Sequence, residues 1–118
     1  MSEVPHIDLS NLYAIASGDD SFVSALLMKM CAALPEAYTR MENAVAGEDW
    51  PELKSAAHKA KSTFAYLGQE EMRDKLKDIE HNAMEGVGLD QLPAMTESAV
   101  VLGRKILRGL EAKLAELR

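Results

Sequence analysis

The chain has 118 residues, a formal net charge of −6, and is 47% hydrophobic but only 5% aromatic. That length suits one domain with a proper core, and the abundance of Ala, Leu, Met, Glu and Lys suits a helical one. The acidic balance argues against nucleic acid as the main partner, and the lack of any run of about 18 apolar residues argues against a membrane span.

Met1 to His6 carries no basic region and no apolar core, so no signal peptide is expected. The single Cys31 excludes an internal disulfide and a multi-cysteine metal site, and it falls in an apolar helical pattern that predicts a buried structural thiol. Cytoplasmic localisation is expected from these features together. No glycine-rich loop follows a strand-like run, so no nucleotide-binding α/β unit is expected.

The first helix is predicted over about 8–17, with Asp8 as N-cap and Leu9, Leu12, Tyr13 and Ala16 on one face. Gly18-Asp19-Asp20-Ser21 breaks it, and Asp19 or Asp20 caps a long second helix over 20–46. The stripe there runs through Phe22, Val23, Leu26, Leu27, Met30, Leu34, Tyr38, Met41 and Val45. It stays in phase across Pro35, which predicts one kinked helix rather than two.

The third helix, over 50–67, has Asp49 as N-cap, Pro51 in its first turn and Glu52 at the capping-box position. Gly68 is positioned to end it as a left-handed C-cap. The fourth helix, over 69–85, opens with Glu70 and Glu71, which complement the helix dipole. Its stripe is Met72, Leu76, Ile79 and Ala83, closed by Gly86-Val87-Gly88. Asp90 is expected to cap a fifth helix over 90–117. Its stripe is Leu92, Met95, Ala99, Leu102, Ile106, Leu110, Leu114 and Leu117, weakened slightly by Gly103 and Gly109.

Four amphipathic helices with short connections must bury their stripes against one another. The expected fold is therefore all-α: a single domain over 1–118, an antiparallel four-helix bundle with a short N-terminal helix as a lid.

One stretch of the third helix carries the chemistry. Leu53, Ala57, Ala60, Phe64 and Leu67 form its buried stripe, and at about 100° per residue His58 points roughly 140° away from it. A lone exposed histidine on a helix is most often an ordinary surface residue, and three features weigh against that here. Lys61 stands one turn on and can neutralise an anion attached to the imidazole. Ser55, Ser62 and Ala65 are small and leave the ring open to something as large as another protein. Glu80 flanks the fourth helix's stripe and returns toward His58 through the tight turn at Gly68. A carboxylate accepting Nδ1–H would fix the tautomer and leave Nε2 as a nucleophile. The alternative for Glu80 is an ordinary boundary carboxylate, paired with Lys77 or Lys61. Asp78 and His81 face outward, too few for a di-metal carboxylate bundle.

This block resembles the histidine-containing phosphotransfer (HPt) domain of two-component phosphorelays. That family's motif is Ala-His-x-Leu-Lys-Gly-Ser with a glycine ten residues after the histidine, and Ala57, His58, Lys61 and Gly68 match it in spacing. Gly47-Glu-Asp49-Trp50 with Leu53 resembles the family's entry into the same helix, and Ile79-Glu80 its hydrophobic–Glu pair. Two positions depart: Ala60 stands for the usual Leu and Ser62 for the usual Gly.

The resemblance implies a phosphorelay intermediate. His58 would accept a phosphoryl group from a receiver-domain aspartate and pass it to another receiver, with Lys61, Glu80 and Ser62 assisting. The partners implied are response-regulator receiver domains and a hybrid sensor histidine kinase, docking around Ser55, Lys59, Ser62 and Tyr66 with contributions from the first two helices. The chain itself would need no cofactor, Mg²⁺ coming from the receiver. No ATP-dependent kinase activity of its own is expected, and a free-standing monomer is. The competing expectation is a bundle adaptor that docks receiver or kinase domains without carrying phosphate, for which Ser62 is the one favourable feature.

Overall fold

The computed structural model describes residues 6–117; the leader reading of Met1 to Pro5 lies outside them. The elements are α1 (Ser10–Ile15), α2 (Asp20–Ala46), α3 (Trp50–Tyr66), α4 (Glu70–Glu85), a 3₁₀ turn (Leu89–Gln91) and α5 (Leu92–Leu117). There is no strand among the described residues. α2 packs on α3 and α5, and α4 packs on the same two, so the four long helices close into a ring.

The helices begin and end where the chain's capping chemistry directs. The Asp19 carboxylate accepts the N–H groups of Ser21 and Phe22 at the head of α2, resolving the choice between Asp19 and Asp20. At the other end of α2 the C-cap is Gly47, and the left-handed residue is Glu48 after it, at φ 52°. Asp49 Oδ1 accepts Glu52 N–H, but the capping box is only half made. The Glu52 carboxylate instead takes Arg40 Nε and Nη2 at 2.8 and 3.0 Å, because α2 packs alongside and presents a bidentate guanidinium. Gly68 takes φ 68°, and a pair of bonds, Gly68 N–H to Ala65 and Gln69 N–H to Phe64, ends α3 in a Schellman motif. α4 therefore starts after a three-residue turn, antiparallel to α3.

Two helices differ from expectation at their ends. α1 is shorter than predicted at both: Leu9, not Asp8, stands at its N-cap position, while Asp8 accepts Ser10 N–H at 2.9 Å, and beyond its last turn Ser17 and Gly18 both take positive φ. Asp90 does not cap α5. It lies inside the 3₁₀ turn, and the α-helix starts at Leu92.

Length mismatch explains α1. At about 1.5 Å per residue, α2 and α5 are each roughly 40 Å long and α3 and α4 roughly 25 Å. α2 and α5 therefore overhang the α3–α4 turn. Residues 6–16 fill the step, burying Ile7, Leu12 and Ala16. Asn11 Nδ2 donates to the Tyr66 carbonyl, and Gln69 Nε2 donates to the His6 carbonyl, so the segment is fastened to the end of α3.

The stripes of α3 and α4 are buried as read, with Ala56 added. Each fully buried Leu, Ile or Met there contributes about 1.5–3 kcal/mol of transfer free energy. Phe22 is an exception in α2. It is nearly half exposed, because α2 overhangs its neighbours at that end. Cys31 is also only half-buried; burial first, and the nearby Glu111 second, push its thiol pKa up. α5 buries a wider face than the predicted stripe, adding Thr96, Val100, Gly103 and Gly109, while Met95, Leu102, Leu114 and Leu117 are partly covered. The reason is that α5 serves two neighbours, α2 and α4, on different flanks.

Candidate functional site

α3 holds His58 by burying the opposite face of the same turns. Ala56, Ala57 and Ala60 are in the core, so the register of the helix leaves no freedom in which way residue 58 points. The His58 side chain is 66% exposed.

Its ring is nevertheless oriented. Nδ1 lies 2.6 Å from Glu80 Oε2, and Lys61 Nζ lies 2.6 Å from Glu80 Oε1. The tight Gly68 turn sets α4 antiparallel to α3, which returns residue 80 opposite residues 58 and 61. Glu80 is only 15% exposed. That burial by itself raises its pKa, but the hydrogen bonds and charges of Lys61 and His58 outweigh it and leave the pKa below the ordinary 4.5. The carboxylate is therefore ionised near neutral pH and can only accept. Nδ1 must carry the proton, and in the neutral ring the outer Nε2 keeps its lone pair. Glu80 thus contacts both the His58 ring and Lys61, and among the described residues Lys77 is not its partner.

The remaining candidates divide between two sides of His58. Ser62 and Tyr66 line an open groove of about 540 Å³ together with Ala65 and with Asn11, Ala14 and Ile15 of α1. Ile15 and Tyr66 are both about half exposed and form its apolar walls. Lys59 lies instead beside a smaller groove between α2 and α3, with Arg40, Ala56 and Thr63. Ser55 is exposed one turn before His58 and lines neither groove. The α1 residues were not individually legible beforehand. The available signal was Ile15, an apolar side chain off the predicted stripe of its helix. Among the described residues no group of His, Cys, Asp and Glu could hold a metal ion.

Fold and site together define a helical bundle presenting one carboxylate-anchored histidine beside a lysine. The family model of the Hpt domain matches residues 25–118, most of the chain, and the protein belongs to that family. Membership carries histidine phosphotransfer in two-component relays as the broad function. Neither the curated proteins nor the solved structures yielded a match. No described helix is long and apolar enough to cross a membrane.

Proposed function

We propose that this protein is a phosphorelay intermediate that carries its phosphoryl group on His58 Nε2. The observation that supports this most directly is the exposed ring whose Nδ1 is held by an ionised, mostly buried Glu80. Nε2 attacks the phosphorus of a receiver's aspartyl phosphate in line, and the aspartate carboxylate leaves. The receiver supplies Mg²⁺. Lys61 provides positive charge beside the ring, and Ser62, one turn on, offers a hydroxyl where the family's usual motif has glycine. The phosphohistidine then donates to a second receiver.

Docking of a receiver domain centres on the groove shared by α1 and α3. Its α3 residues Ser62, Ala65 and Tyr66 lie one to just over two turns from His58. Ser55 and Lys59 extend the contact on the flanks. A hybrid sensor histidine kinase, through its own receiver, is the upstream donor in this reading.

The test is transfer of label. The protein is incubated with a receiver loaded with labelled aspartyl phosphate, and acid-labile, alkali-stable label is sought on this chain. Wild type should take the label and His58→Gln should not. Absence of label from every receiver of the host would leave the adaptor as the better description.

A further inference from the structure

We propose that Lys61 changes partner when His58 is phosphorylated, passing from Glu80 to the phosphoryl group. The inference rests on the phosphotransfer reading and deepens it. In the resting site the ammonium is already engaged: it donates to Glu80 Oε1 at 2.6 Å, while Oε2 of the same carboxylate faces the ring. Lys61 is only partly exposed, at 28%. Its charge is committed to the interior before any partner arrives.

The charges change with the chemistry. The Nε2 lone pair forms the N–P bond, the bond from phosphorus to the aspartyl oxygen breaks, and the aspartate carboxylate leaves with that electron pair. No proton is lost from the ring, because Nδ1–H stays on Glu80. The imidazole, neutral beforehand, is now substituted at both nitrogens and is positive. The phosphoryl group keeps its two negative charges. Glu80 thus gains a cation at Oε2 at the moment a dianion appears on the far side of the ring. The new imidazolium repels the ammonium from its place beside Glu80, and the phosphoryl dianion attracts it about twice as strongly as a single charge at equal distance would.

Reach allows the exchange. Lys61 and His58 share one carboxylate and stand one turn apart on one helix face. The lysine head is a compact charge on a flexible stem, so it can pivot along the ring edge without moving the backbone. Glu80 stays behind with the ring. One carboxylate therefore stores the lysine in the empty state and releases it in the loaded one.

The experiment uses the whole chain, phosphorylated on His58 with phosphoramidate, and ³¹P NMR of the phosphoryl group against pH. An adjacent ammonium favours the dianion, so replacing Lys61 by Gln should raise the phosphoryl titration midpoint by about one pH unit. Lys61→Arg should restore it. In ¹⁵N-lysine-labelled wild type, the Lys61 Nζ resonance should shift on phosphorylation. An unchanged midpoint in Lys61→Gln, or an unmoved Nζ resonance, overturns the exchange while leaving the relay reading intact. A protein that takes phosphate from phosphoramidate and shows these shifts, yet takes none from any receiver, keeps the exchange and loses the relay. If phosphoramidate leaves His58 unlabelled, both fall.

Discussion

Glu80 accepts the His58 ring at Nδ1 with an oxygen 2.6 Å away, from a helix that the chain reaches only after reversing direction at Gly68. The contact joins residues 22 positions apart. It converts a solvent-exposed imidazole, free to take either tautomer, into one whose neutral form keeps its lone pair on the outer Nε2.

Removing that anchor should cost rate rather than fold. Glu80→Ala is expected to slow phosphoryl acceptance by about tenfold, the scale of a lost orienting partner. Far-ultraviolet circular dichroism should be unchanged, since the core stripe of α4 is made by Met72, Leu76, Ile79 and Ala83. Wild-type transfer kinetics in the variant would show that Glu80 does not orient the ring.

The same carboxylate gives a pH signature. Its folded pKa is depressed below 4.5, so its contribution to stability is present above the unfolded value and is lost as pH falls through the folded one. Urea midpoints of wild type and Glu80→Gln should therefore differ near neutral pH and converge in acid. A gap that stays constant or widens all the way into strong acid would contradict the paired carboxylate.

Gly103 is a packing requirement. A Cβ there would stand 2.6 Å from Tyr38 Cζ and its hydroxyl oxygen. Both partners are buried between α2 and α5, so the ring has nowhere to retreat. Gly103→Ala should destabilise the bundle by about 1–3 kcal/mol, as overpacking does, despite alanine's better helix propensity. The Tyr38 hydroxyl is buried with no hydrogen-bond partner among the described residues, so Tyr38→Phe should be neutral or stabilising by about 1 kcal/mol. Equilibrium denaturation checks both, and a stabilised Gly103→Ala would refute the close approach.

The groove beside the histidine can be tested separately from its chemistry. Ile15 is 53% exposed and contributes little to the core. Ile15→Asp should weaken receiver binding about tenfold, the effect of losing one apolar anchor, with the unfolding midpoint nearly unchanged. Titration calorimetry against a cognate receiver measures the first, and equal affinity would move the docking surface elsewhere.

The helices, the bundle and the outward direction of His58 were determined by local sequence alone. Apolar spacing in α3 and α4 leaves one buried face each, and Asp19, Asp49 and Gly68 punctuate the chain through bonds to their own neighbours. Phe22 and Cys31 misled because apolar periodicity says which face is covered only where a neighbour exists, and α2 outruns α3. α5 misled in the opposite sense, since two neighbours bury more than one stripe.

What only the tertiary structure decided is where charges and surfaces meet. Glu52 turned to Arg40 rather than to its own helix, Glu80 took both His58 and Lys61, and Ile15 came to share a groove with Ser62 and Tyr66. These pairings depend on how far one helix slides and turns against the next. A single helix's periodicity carries no information about that register; the packing of several side chains at once selects it.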